Sequence, residues 1–107
     1  MPGNASDPVH GDPVHVELEE VPPRGRFKLV GSGGQMLGEM TFSRARDDLI
    51  IVDHTEVDDS LRGQGGGARL FEEMVAWARK TGTQVMATCP FASSMFDRDP
   101  SSRDVLA

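Results

Sequence analysis

Four glycines within five positions, Gly63, Gly65, Gly66 and Gly67, force a break in whatever regular structure surrounds them. Upstream, Leu49-Ile50-Ile51-Val52 is a short apolar run rich in β-branched residues. Downstream, Leu70, Phe71, Met74, Val75, Trp77 and Ala78 recur at helical spacing. The stretch Arg62-Gly63-Gln64-Gly65-Gly66-Gly67-Ala68 therefore lies at a strand-to-helix turn. Without Cβ atoms, backbone at such a turn can approach a ligand closely, and the unpaired N–H groups of the first helical turn point at an anion. Arg62 adds a fixed positive charge. The pattern predicts a phosphate cradle.

Two familiar cradles do not fit. A nucleotide-triphosphate loop needs Lys-Ser or Lys-Thr after the last glycine, and Ala68-Arg69 follows here. A dinucleotide fingerprint matches Gly63, Gly65 and Ala68 in spacing. It lacks an acidic residue about 20 positions on, and too few residues remain to complete its sheet.

The rest of the composition narrows the function. At 107 residues the chain makes one domain, expected from residue 14 to 107 behind a disordered tail at 1–13 rich in Pro, Gly and Asp. A formal net charge of −6 argues against nucleic acid or an anionic membrane as the main partner. No apolar run approaches the roughly 20 residues of a spanning helix, and no signal pattern opens the chain, so a cytoplasmic protein is expected. Cys89 is the one cysteine, which excludes an internal disulfide, and the histidines form no metal-ligand pattern.

Along the chain, Val14, Val16 and Leu18 alternate with His15, Glu17 and Glu19 as in a half-buried strand. After a turn at Pro22-Pro23-Arg24-Gly25, Phe27 and Leu29 alternate with Arg26 and Lys28, so the basic face of this second strand can meet the acidic face of the first. A third strand spans Met36 to Phe42, followed by a polar turn from Arg44 to Asp48. Leu49 to Val52 is apolar on both faces and is expected in the middle of a covered sheet. A helix from about Gly65 to Lys80 ends at Gly82; Gln84 to Thr88 reads as a short strand, Phe91 to Phe96 as a helical turn or two, and the last residues as fraying.

Chemistry gathers at the carboxyl end of the fourth strand, where Asp53, His54, Thr55 and Glu56 precede the glycine run. That is where open sheets flanked by helices usually bind ligands. Cys89-Pro90 lies at the end of the fifth strand, with Pro90 suited to the first position of a helix and Cys89 to its cap. The helix dipole there would stabilise a thiolate, while a lone cysteine is equally at home as a small buried hydrophobe.

Arg62-x-x-Gly65-x-Gly67-Ala68, following a strand and opening a helix, resembles the coenzyme A pyrophosphate loop of the GNAT N-acetyltransferase superfamily. Asp53-His54-Thr55-Glu56-Val57, Leu61-Arg62-Gly63-Gln64-Gly65 and Cys89-Pro90-Phe91-Ala92, in that order, resemble the minimal GNAT-like acetyltransferases over residues 14 to 105. The resemblance implies an α+β GNAT fold, with five mostly antiparallel strands, one main helix and a short C-terminal helix. It places acetyl-CoA between the fourth and fifth strands, with its pyrophosphate on backbone N–H groups from Gln64 to Ala68. Thr55, Val57, Arg62, Gly63, Gln64, Gly65, Gly66, Gly67 and Ala68 are then the cofactor contacts, and side chains added at Gly65 or Gly67 would fill the pyrophosphate space. Cys89, His54 and Glu56 are the catalytic candidates: Cys89 as nucleophile or as wall of the thioester site, His54 or Glu56 as base.

The implied reaction is acetyl transfer to an unidentified amine, on a protein or a small molecule, which a partner protein could present. A CoA-binding module without turnover is the alternative. Two positions depart from the pattern: Gly66 stands where an apolar residue is usual, and Asp99 where His would precede the proline.

Overall fold

The computed structural model describes residues 14–61 and 63–107. The expected tail at 1–13 and Arg62 lie outside the described residues. Five strands form one sheet in chain order: β1 (Val14–Val21), β2 (Arg24–Gly31), β3 (Met36–Arg46), β4 (Leu49–Val57) and β5 (Gln84–Ala87). The first four pair antiparallel, and β5 joins β4 in parallel after helix α1 (Gly66–Thr81). Helix α2 (Pro90–Arg98) and a 3-10 segment, Pro100–Val105, follow. This is the α+β arrangement that the resemblance implies.

Alternation separates the two faces of the sheet. Phe27, Leu29, Met40, Phe42, Ile50, Val52 and Val85 are buried against the α1 stripe of Leu70, Phe71, Met74, Val75 and Ala78. Apart from Ala78, each such side chain contributes about 1.5–3 kcal/mol through burial. On the other face Glu17 lies opposite Lys28, and Glu19 opposite Arg26. Arg26 bridges Glu19 and Glu39 at 3.0 Å each, and Lys28 reaches Glu19 at 2.7 Å. These pairs are too exposed to add much stability singly. They settle which face stays wet.

Three features differ from the sequence expectations. β3 continues to Arg46, so the turn shrinks to Asp47-Asp48. Polar Arg44 suits a strand because its guanidinium meets Glu20 at 2.6 and 3.0 Å and lies 5.7 Å from the centre of the Trp77 ring. β4 is central but covered on one face only. α1 and α2 pack together on that face, with Phe71 and Phe96 rings 4.9 Å apart, while Ile51 and Met86 on the other face remain partly exposed.

Finally, residues 99–107 are held rather than frayed. Arg79 binds the Asp104 carboxylate at 2.8 and 2.9 Å and the Ser101 carbonyl at 2.6 Å. Ser102 and Val105 are buried, and the Ala107 N–H donates to the Val85 carbonyl.

One irregularity interrupts β4. Thr41 pairs with His54 and Phe42 with Val52, which leaves Asp53 as an extra residue in the strand. It is a β-bulge.

Candidate functional site

β4 and β5 part company at Val52. Their parallel pairing ends at Val52 and Ala87, and the N–H groups of Thr88 and Cys89 both donate to the Val52 carbonyl, at 2.9 and 3.2 Å. Beyond that point β4 runs on to Val57 paired with β3 alone. The Asp53 bulge sits at the same place and is pinned. Its carboxylate accepts hydrogen bonds from Thr41 Oγ1 at 2.5 Å and from Arg24 at 2.7 Å. Burial opposes ionisation of Asp53, but the bonds from Thr41 and Arg24 outweigh it and hold the carboxyl below its ordinary range. The ionised, bulge-pinning form is thus complete at neutral pH, and its stabilisation is lost as pH falls through that depressed pKa.

Past the bulge, Thr55 and Val57 face the helices while His54 and Glu56 share the open face, with Nε2 and Oε1 3.5 Å apart. The Cys89 thiol donates to Thr55 Oγ1 at 3.4 Å. Cys89 is buried at the start of α2, with Pro90 at the first helical position as expected, and its side chain makes no capping bond. The four polar residues of the strand end therefore divide three ways. Asp53 is structural, Thr55 meets the thiol, and His54 and Glu56 stand across the strand from it.

Between the free end of β4 and the two helices lies a cleft of about 420 Å3. Thr55, Val57 and Leu61 form one wall, Gly63 and Gly65 to Ala68 a second, and Phe91, Met95 and Arg98 a third. Gly63 and Gly65 have φ of 82° and 80°, the left-handed region that favours glycine, and a Cβ on either would project into open space. Gly66 and Gly67 are glycine for a different reason. A Cβ on Gly66 would come within 2.9 Å of Val57 and 3.2 Å of Leu29, and one on Gly67 within 2.7 Å of the Phe91 ring. The protein's own side chains fill those two spaces. An added side chain at Gly67 would therefore meet Phe91 first, not the pyrophosphate space, and the apolar residue usual at position 66 is replaced here by Val57 and Leu29.

The donor set also narrows. The Gln64 N–H donates to the Leu61 carbonyl at 2.9 Å, and the Gln64 side chain turns back to the Ser60 carbonyl. Arg69 N–H bonds Gly65 O at 2.9 Å, whereas the N–H groups of Gly66, Gly67 and Ala68 have no acceptor among the described residues. Three adjacent donors at the positive end of a 16-residue helix, with no side-chain cap from Gly65, fit a phosphate group. A second, acidic cleft of about 340 Å3 is lined by Met36 to Glu39 and Glu56 to Asp59, and shares Val57 with the first. Among the described residues no cluster of His, Cys, Asp or Glu is placed to hold a metal, and no helix is long and apolar enough to cross a membrane.

Residues 26–105 match the family described as GCN5-related N-acetyl-transferase. The chain belongs to that family. A GCN5-like protein of Staphylococcus aureus, solved by NMR, is 31% identical, with 85% of this chain and 87% of that one covered and a TM-score of 0.65.

The ribosomal-protein-S18-alanine N-acetyltransferase of Escherichia coli, 18% identical over 74% of this chain and 53% of its own, shares the fold at a TM-score of 0.61. So does Tetrahymena GCN5, 15% identical over 71% of this chain and 49% of its own, also at 0.61. The chain thus spans about half the length of these last two. Comparison with curated protein sequences gives no match. As a GCN5-related N-acetyltransferase the protein moves an acetyl group to an amine, and the enzymes of this family take that group from acetyl-CoA.

Sequence reasoning missed Arg24 and Thr41, which no local pattern ties to Asp53. It also missed Phe91, Met95 and Arg98 as a cleft wall, although their spacing of four and three residues places them on one helix face.

Proposed function

We propose that the 420 Å3 cleft takes acetyl-CoA, and that the acetyl group passes directly to an amine entering from the open face of the sheet. What carries this reading is the parting of the strands at Val52, which leaves a gap with the phosphate-binding N–H groups on one side and Glu56 on the other. The N–H groups of Gly66, Gly67 and Ala68 hold the pyrophosphate, with Arg62 adding charge. Gly63, Gly65 and Gln64 shape the turn. Thr55 and Val57 line the path towards Cys89, which forms the wall of the thioester site.

The bound cosubstrate supplies an activated acetyl carbonyl. As the amine nitrogen bonds the acetyl carbon, the thioester C–S bond breaks and CoA leaves as thiolate, while Glu56, beside His54 on the open face, takes the proton that the amine must lose. A covalent route through Cys89 would need a base in contact with the thiol. Its side-chain partner is the Thr55 hydroxyl, which is none, and His54 and Glu56 lie across the strand. The acidic cleft beside Glu56 is the natural approach for an amine that arrives protonated. A cytoplasmic location is part of the same proposal.

Intact mass after brief incubation with acetyl-CoA, followed by addition of an amine pool, tests the route. Wild type and Cys89→Ala are expected to remain without adduct, Cys89→Ala to keep turnover, and Glu56→Gln to lose roughly 10²–10⁴-fold in kcat. An acetyl adduct that disappears in Cys89→Ser and chases onto amine would replace direct transfer by a thiol intermediate. CoA binding with no turnover on any amine would leave a binding module.

A further inference from the structure

The outer end of the cleft carries a cation that the glycine motif does not contain. Phe91, Met95 and Arg98 follow one another at helical spacing on α2 and all line the cleft opposite the α1 start. Phe91 sits against Gly67, and an α-helix advances about 10 Å over seven residues, so the stripe leads from the glycine turn outward to the Arg98 side chain.

Charge accounting singles Arg98 out. Arg24, Arg26, Arg44, Arg46, Arg69 and Arg79 each sit within 3.3 Å of a carboxylate. Arg103 is engaged by the carbonyls of Phe96 and Asp97. Arg98 has no carboxylate within 4.0 Å among the described residues, and its bond is a long one, 3.3 Å, to the neutral Ser94 hydroxyl. In a chain of formal net charge −6, Arg98 and Arg103 are the described arginines without a carboxylate, and Arg103 spends its donors on two backbone carbonyls. Its place in the last turn of α2 offsets the negative end of that helix dipole, but the dipole does not require an arginine that lines the cleft. An arginine on one wall and three N–H donors at a helix start on another supply the two sides of an anion clamp.

We propose that Arg98 binds a phosphate at the nucleotide end of the cosubstrate, and so selects phosphorylated ligands. This rests on the reading of the cleft as the CoA site. The two are separated by calorimetry with CoA, 3′-dephospho-CoA and pantetheine, on wild type, Arg98→Ala, Arg98→Lys and Arg98→Glu.

Loss of one charge-assisted contact is expected to weaken CoA about tenfold to hundredfold in Arg98→Ala, with further loss in Arg98→Glu and partial recovery in Arg98→Lys. Pantetheine, which has no phosphate, is expected to bind wild type and Arg98→Ala alike. A difference that vanishes with 3′-dephospho-CoA assigns the contact to the 3′-phosphate, and one that persists assigns it to the pyrophosphate. Equal CoA affinity in wild type and Arg98→Ala, or a loss of the same size with pantetheine, would overturn the proposal while leaving the CoA site intact. Wild type that binds no CoA would overturn the site itself, and the proposal with it.

Discussion

α1 and the 3-10 segment Pro100–Val105 begin in opposite ways. The 3-10 segment is capped: the Asp99 carboxylate accepts from the Ser101 N–H at 3.1 Å and the Ser101 hydroxyl at 2.5 Å. α1 starts from Gly65 with no side-chain bond and three N–H groups without acceptors among the described residues. A side-chain cap contributes about 1 kcal/mol, so α1 forgoes that stabilisation where a ligand can take its place. The difference separates a helix start that closes the fold from one that binds.

The largest effect on this contrast is expected from Gly65→Val. A β-branched residue is strained at φ 80°, and its side chain projects into open space at a position that lines the cleft. CoA affinity is expected to fall about a hundredfold or more in calorimetry. Circular dichroism should still report a folded domain, and normal CoA binding by this folded variant would remove the turn from the site.

Ala68→Glu sharpens the comparison by separating stability from binding. A carboxylate in the first turn stabilises the helix by about 0.3–1 kcal/mol, yet repels an anion from the same donors. Thermal unfolding without ligand should move upward while CoA affinity drops about tenfold or more. A fall in both would mean that the α1 start is held by packing alone.

Asp99→Ala is the converse and the smallest change. Loss of the cap is expected to lower stability by about 1 kcal/mol, or roughly 4–8 °C in Tm for a domain of this size. CoA affinity should stay as in wild type, and a loss there would tie residues 99–105 to the cleft.

Both helix starts were partly legible in the sequence. The glycine run announced the α1 turn, and alternation in β1 and β2 predicted that the basic face of β2 meets the acidic face of β1, which the register makes Glu17 with Lys28 and Glu19 with Arg26. Helical spacing identified the α1 stripe. Asp99-Pro100-Ser101 is an Asx-type cap whose spacing could have been recognised, since an aspartate accepting from the N–H two residues on is a local event.

The Asp53 bulge could not be read. An extra residue shows in sequence only when it interrupts an apolar alternation, and Asp53-His54-Thr55-Glu56 is polar throughout. Nor could Gln64 be placed, because its return to Ser60 is one of many rotamers open to an exposed side chain. The covered face of β4 misled for a related reason. Ile51 is apolar but only half-buried, and apolarity on both faces does not require helices on both.

The bulge also decides which way the end of this strand faces. Ironed into regular alternation with its residue count unchanged, the strand would exchange the two sides of its end, turning Glu56 towards Cys89 and Leu61 and sending Thr55 and Val57 into water. Substitutions at 54–56 leave that geometry standing, whereas one at Asp53 gives up the Thr41 and Arg24 contacts and releases every group of the strand end at once.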